Sequence, residues 1–504
     1  MVAWFCALGL AMTAASAASA SLCVLRVNEA PTSQPVPCRI HLKDAAGKPL
    51  RAQGLPFWHD HFVCAGEATL ELAPGDYAFA VERGPEYWAA TGKFTVVEGQ
   101  PLRLTNTLRR LADLAKEGWW SGETHVHRPL ADIELLMRAE DLHLAEVITW
   151  WNDANPWAKQ PRPAETVVRF DGDRFYDLMA GEDERGGGAL LYFGLEQPLP
   201  IAGAQREYPS ALRFLQRARR QPRVWVDIEK PFWWDAPVWL ASGLVDSIGI
   251  AHNHLQRGGV MDSEAWGKAR DRQRYPPPWG NGLWTQDIYY HALDCGLRLP
   301  PSAGSASGVL ANPVGYDRAY VHVDGELTYA KWWEGLRAGR VFVSNGPLLR
   351  CRANGQWPGH VFKSGGPLPV RLEGQLDSRD PIAAVELVRD GHVERLALPS
   401  TVSFNESGWF LVRATATVTN TFRFGSTGPW HVEIGSRPQP VRRESAQFFL
   451  DWVRERMATL ELDEPAQREE VLQSLRAAAS FWQQKLDSAA RAPAGESKAP
   501  LHGR

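Results

Sequence analysis

The sequence predicts an α/β protein: a distorted seven- or eight-stranded β/α barrel of the TIM type, flanked by two β-sandwich domains and followed by a C-terminal helical segment. Three observations lead there. The chain has 504 residues, more than one core usually fills, and at about 150 residues per domain this gives roughly three domains. Short apolar runs alternate with amphipathic stretches between residues 111 and 347. On both sides the pattern changes to period-two alternation broken by turns. Charge narrows the partners, because 55 Lys+Arg against 58 Asp+Glu (net −3) leave no basic stripe for nucleic acid.

Residues 1–20, MVAWFCALGLAMTAASAASA, join an apolar run to small residues and predict a signal peptide cleaved near Ala17 or Ala20, hence a secreted or periplasmic protein. No later segment reaches the roughly 18 apolar residues of a membrane helix, so no membrane span is expected. Cys23, Cys38 and Cys64 come next. In an oxidising compartment one pair among them can close, and spacing does not say which. There is no CxxC, which argues against a cysteine-ligated metal. Over 21–108 the runs RIHLKDAAGKPL, ATLELAPGDYAFAVERG and GKFTVVEGQPLRLT predict an N-terminal β-sandwich.

Within 111–347, strands are expected at 124–127, 145–151, 189–196, 223–229, 247–254, 297–305 and 319–323. Helical patterns such as IELLMRAEDLH, SALRFLQRARR and TQDIYYHAL fill the gaps. Strand–helix units of this length imply right-handed crossovers, parallel strands and a mouth at the C-terminal strand ends. Alternation returns over 348–436, predicting the second β-sandwich. Residues 443–488 have apolar positions at helical spacing, interrupted at Asp463-Glu464-Pro465, and predict a helical hairpin; 489–504 predict a disordered tail.

The sharpest chemical signal is GETHVH at 122–127. On a strand, His125 and His127 share a face, so both imidazoles can reach one ion. Glu196 ends the apolar run ALLYFGLEQ, where a carboxylate is costly unless paired or bound to a cation. Asp227 with Glu229, and His252 with His254, repeat the same-face spacing on two further strands. Singly, each pair reads as a salt bridge or a capped helix start; together they predict a metal site. Imidazoles and carboxylates without thiolate suit a divalent metal ion, Zn²⁺ first and Mn²⁺ or Fe²⁺ next, with one or two ions. An uncoordinated member of Asp227/Glu229 would be the general base, and Lys230 or Arg128 would offset negative charge.

Fourteen of the 22 tryptophans fall between Trp119 and Trp333. Trp150, Trp151, Trp233 and Trp234 flank expected strand ends and, with Arg128, are candidate substrate-binding residues. The Pro/Gly-rich stretch 258–281 is a candidate lid. His59, His61, His143, His291 and His322 lack paired spacing and are read as structural.

The run GWWSGETHVH and the segment GELTYAKWWEGLRAGRVFVSNGP (325–347) resemble motifs of the polymerase and histidinol phosphatase (PHP) superfamily, in particular its exported carbamate- and ester-hydrolase-like branch. The resemblance covers about 118–347. It implies that His125, His127 and Glu196 ligate a catalytic metal, with Glu196 bridging if there are two ions. It also implies an exported hydrolase of an ester, amide-like or phosphoester bond that uses a metal-activated water. The chain departs from the family pattern at Thr149-Trp150-Trp151 (usually Thr-Asp-His), at Asp227-Ile228-Glu229-Lys230-Pro231 (usually His-Pro) and at Gly304-Ser305-Ala306-Ser307-Gly308 (usually Gly-Ser-Asp-x-His). Two alternatives stay open: a glycan-active enzyme using paired carboxylates such as Glu196 and Glu229, and a catalytically silent relative that binds a small molecule or glycan. The hydrolase reading requires donors from neighbouring strands to converge on one point.

Overall fold

The computed structural model describes residues 19–435 and 439–489. Residues 1–18 of the expected leader and 490–504 of the expected tail lie outside the described residues. Contacts divide the chain into two compact units, one running to residue 81 and including 89–108, the other holding 82–88 and everything from 109 onward.

The first unit is all β. In one sheet Ser21–Glu29 pairs antiparallel with Glu67–Leu72 and Gln34–Pro35, and parallel with Leu102–Leu108. Period-two patterning decides which side is inward: Ala68, Leu70 and Leu72 are buried while Glu67, Thr69 and Glu71 face solvent. The other sheet has five strands in the order Phe57–Trp58, His61–Cys64, Cys38–Asp44, Gly75–Glu82, Ala90–Val96.

The second unit corrects the predicted barrel. Its strands do not form one closed ring of parallel strands among the described residues; they lie in separate mixed sheets. One sheet runs Val167–Phe170, Arg174–Asp177, Leu144–Val147, Trp119–Val126, Arg318–His322, Val341–Ser344 and on into Phe424–Thr427, Gly408–Ala416, Ile382–Arg389 and His392–Arg395. The other runs Trp150–Trp151, Gly181–Arg185, Gly188–Phe193, Trp225–Ile228, Ser247–His252, Pro301–Gly304.

Two features break the expected β/α alternation. Gly181–Arg185 and Gly188–Phe193 form an antiparallel hairpin joined by Gly186 and Gly187, so no helix separates them. Trp119–Val126 is antiparallel to Arg318–His322, which is itself antiparallel to Val341–Ser344. The sheets meet at isolated contacts rather than a ladder, a bridge between Val126 and Ser307 and a bond from the Thr124 hydroxyl to the Ala303 carbonyl at 2.9 Å.

Residues 348–435, where the second β-sandwich is expected, fall in this same unit. Val341–Ser344 pairs directly with Phe424–Thr427, so the sheet that begins around the His-bearing strand ends among the C-terminal strands. Helices Arg443–Ala458 and Pro465–Ser488 follow. The second begins where Pro465 occupies its first turn and the Glu464 carboxylate accepts from the Ala466 and Gln467 amides. Phe449 and Trp482 stack at 4.5 Å between the two helices, and the Trp482 indole donates to the Pro237 carbonyl at 2.9 Å. Among the described residues no helix is long and apolar enough to cross a membrane.

Candidate metal centre

Trp119–Val126 is covered on both sides, by Leu144–Val147 in parallel and Arg318–His322 in antiparallel pairing, and its residues from Ser121 to Val126 are all buried. Alternation along it sends Glu123, His125 and the next residue in step, His127, to one side. Segment 304–308 presses on that side. A Cβ on Gly304 would lie 2.4 Å from His125 Cβ, and one on Gly308 would lie 2.4 Å from the His127 carbonyl oxygen. Between these glycines the Ser305 amide donates to Glu123 Oε1 at 2.6 Å and the Ser307 carbonyl accepts from the His127 amide at 2.8 Å. Segment 304–308 thus packs directly against the backbone of the two histidines.

The imidazoles converge. His125 Nε2 and His127 Nε2 are 2.9 Å apart, and Glu182 Oε2 lies 3.3 Å from the first and 3.1 Å from the second. All three ligand atoms fall within 4.8 Å of one another, so this group could hold a metal ion. His125 and Glu182 are buried, and His127 is half-buried. Glu182 comes from the hairpin strand Gly181–Arg185.

Glu229, just past Trp225–Ile228, lies 3.4 Å from the other ring nitrogen of His125, Nδ1. It is held in turn by Lys230 Nζ at 2.6 Å and by the Trp233 indole N–H at 3.0 Å. A carboxylate behind a ligating imidazole fixes its orientation and raises its basicity. Asp227 has a different environment: its Oδ1 accepts from the Ser302 hydroxyl at 2.5 Å and from the Ser247 hydroxyl.

The electrostatics favour a positive charge at this point. Burial alone would strip the proton from His125, but Glu182 and Glu229 outweigh it and push its pKa up to about 10. Burial raises Glu182, yet His125 and His127 overcome that and hold it at about 2. A proton and a metal ion therefore compete for the same place. Burial lifts Asp227 to about 7 against the pull of its two serines. Burial, with Glu182 close by, lifts the half-buried Glu184 to about 7 as well.

No family model, curated protein or solved structure matches the chain.

Several sequence-predicted residues stand elsewhere. Glu196 is exposed and outside the cluster: its strand ends at Phe193, Gly194 turns with φ 65°, and the Glu196 amide bonds to the Gln221 side chain at 2.9 Å. The carboxylate that meets the two imidazoles is Glu182 instead. His252 Nε2 meets the Thr285 hydroxyl at 2.8 Å and His254 Nδ1 meets the Ser263 carbonyl at 2.9 Å, so neither joins the group around His125. Arg128 is buried, with Asp132 4.0 Å away.

The indoles divide. Trp150 is a core residue that donates to the Met179 carbonyl and stacks on Tyr192. Trp151 meets the His127 ring edge-on at 5.1 Å. Trp233 is buried and positions Glu229, while Trp234 lies 5.7 Å from the Lys268 ammonium. In the candidate lid, Trp266 is exposed, stacked on Trp233 at 5.2 Å.

A second group could also hold a metal ion: His41, Asp60 and His61 in the N-terminal unit. His61, read as structural from its spacing, belongs to this group. Each ring puts Nδ1 3.1 Å from an Asp60 oxygen. Arg39 Nε donates to His41 Nε2 at 3.0 Å, which requires the proton of a neutral His41 to sit on Nδ1, facing Asp60. In that tautomer the neutral His41 ring hydrogen-bonds Asp60 through Nδ1, so this group is satisfied by hydrogen bonds among its own members.

Proposed function

We propose that this chain is an exported metal-dependent hydrolase of an ester, amide-like or phosphoester bond in a small-molecule or glycan substrate, with its ion held by His125, His127 and Glu182. The observation that carries the reading is the convergence of two Nε2 atoms and one carboxylate oxygen on a single buried point, backed by Glu229. Two imidazoles and a carboxylate are a donor set suited to Zn²⁺, with Mn²⁺ or Fe²⁺ as further candidates, and they leave one coordination position open on a single tetrahedral ion. When bound, such an ion supplies Lewis acidity and lowers the pKa of water towards neutrality.

The chain's own residues do the rest. Glu229 orients His125 through Nδ1, and Lys230 and Trp233 keep Glu229 ionised and fixed. Neither Glu229 nor Asp227 is free to act as the general base. Glu184 takes that role: it is two residues along the strand face from Glu182 and only half-buried. Trp151 beside His127 closes one side against bulk water. The chain keeps the His-x-His part of the PHP resemblance and replaces its Glu196.

A glycosidase working through paired carboxylates has less support, because Glu182 and Glu229 both point at His125 rather than across an open cleft. The decisive experiment measures ion content by mass spectrometry before and after dialysis against a chelator. Turnover of aryl ester, anilide and aryl phosphate substrates is then followed with and without restored Zn²⁺ or Mn²⁺. Stoichiometric ion and chelator-sensitive turnover are expected. Bound ion without turnover of any of these substrates would make the chain a silent binding protein, and no bound ion would end the proposal.

A further inference from the structure

Sequence spacing leaves open which of Cys23, Cys38 and Cys64 pair, and strand register decides it. Cys38 opens the strand Cys38–Asp44 and Cys64 closes His61–Cys64; the antiparallel ladder between them sets these two residues directly opposite. Both are fully buried, and their sulfurs are 3.8 Å apart. Directly opposite residues in an antiparallel pair have Cα atoms about 4.5–5.5 Å apart. A disulfide spans about 4.4–6.8 Å between Cα atoms, so the bond needs side-chain rotation and no movement of the backbone.

The other cysteines among the described residues are placed differently. Cys23 lies on the other sheet of the unit, opposite Leu70 on one side and Leu102 on the other, with its thiol 3.7 Å from the Ser21 carbonyl. Cys295 and Cys351 belong to the second unit and are buried there.

We propose that Cys38 and Cys64 form a disulfide as the N-terminal unit folds. The oxidant is a disulfide donor, such as glutathione disulfide or an oxidised dithiol protein. One cysteine thiolate attacks a donor sulfur, breaking the donor S–S bond and releasing one donor thiol. The second cysteine then attacks the mixed disulfide, forms the Cys38–Cys64 bond and releases the other donor thiol. Two protons and two electrons pass from the cysteine pair to the donor.

Because both sulfurs are buried, exchange precedes final packing, and the closed bond resists reductant in the folded state. The bond locks a ladder already tied further along, where the His41 and His61 rings sit 5.1 Å apart and share Asp60. This inference is independent of the metal chemistry of the second unit.

The test uses the full chain, unfolded with reductant and refolded in a mixture of reduced and oxidised glutathione. Thiols are alkylated under denaturing conditions and the peptides mapped by mass spectrometry. The expected map has one Cys38–Cys64 linked peptide, with Cys23, Cys295, Cys351 and, where the leader is retained, Cys6 alkylated. Alkylation of both Cys38 and Cys64, or linkage of either to Cys23, would overturn the assignment. On the unaltered chain, thermal unfolding without reductant should also fall at higher temperature for the N-terminal unit than after reduction in denaturant. Identical transitions would count equally against the bond.

Discussion

At the scale of single residues, half of the candidate metal centre is legible in the chain. His-x-His on a strand is a local pattern, and the two imidazoles do meet at 2.9 Å. The carboxylate that completes the group is not legible in the same way. Glu196 looked costly at the end of an apolar run, but Gly194 lets the chain turn out to solvent before that carboxylate is reached. Glu182 sits in the acidic run GEDER, which resembles a solvated turn, although Glu182 is 2% and Asp183 0% exposed. Their burial is tolerated because His125 and His127 face one and Arg185 the other, at 2.5 Å. Glu182→Gln is therefore expected to abolish stoichiometric ion binding while Glu196→Gln leaves ion content at the parent level; equal loss in both would remove Glu182 from the site. Glu229→Gln should weaken ion affinity by about 10–100-fold, the usual cost of losing a carboxylate behind a ligating imidazole. Competition with a metal-binding dye reads that change, and an unaltered affinity would deny Glu229 its orienting role.

His143 carries a pH dependence with a definite sign. Burial, reinforced by Arg174, Arg318 and Arg110 and opposed by Asp141, lowers its pKa to about 3 from an ordinary 6.5. Between those values the unfolded chain binds a proton that the folded chain refuses. This contribution to stability is thus lost progressively as pH falls below 6.5 and levels off near 3. His143→Asn, which retains a polar atom for the Ser121 hydroxyl now 3.0 Å from Nδ1, should make the urea midpoint fall less steeply from pH 7 to pH 4. Ion content should be unchanged. Parallel slopes for parent and variant would show that His143 is not held neutral.

At the scale of elements, the helices and most strands follow from periodicity, but the hairpin 181–193 escaped because its two runs carry unlike signals. ALLYF is apolar on every residue, whereas GEDER alternates charge with charge. The two-residue Gly186-Gly187 turn between them was the available clue. That hairpin turns an expected β/α crossover into an antiparallel pair and delivers Glu182 to the histidines. Segment 304–308 has the complementary role. Gly308 adopts φ +107°, and a side chain there would meet the His127 carbonyl. Gly308→Ala should therefore cost about 1–3 kcal/mol of stability and lower ion affinity by shifting His127. Gly258→Ala, where nothing lies within 4 Å of the added Cβ, should do neither. The comparison is read from urea midpoints and dye competition on the two variants. Equal effects would mean that close approach at Gly308 does not position the ligand.

At the scale of the whole molecule, neither composition nor alternation can state which strands share a sheet. Strand pairing between Val341–Ser344 and Phe424–Thr427 is decided by contacts far apart in sequence, and it makes residues from 109 onward one unit. The candidate metal centre and the terminal helices therefore belong to the same unit. Trp482 tests this. It is fully buried, stacks on Phe449 and donates to the Pro237 carbonyl, so Trp482→Ala should destabilise the second unit by about 3–5 kcal/mol. An ion bound only by the folded unit stabilises it in proportion to the logarithm of its concentration. Calorimetry of the full chain is expected to show one transition that Trp482→Ala lowers and added Zn²⁺ raises, and another, belonging to residues up to 81 with 89–108, that responds to neither. If Zn²⁺ moved the second transition instead, the ion would be bound at His41, Asp60 and His61, and the site around His125 would lose its claim.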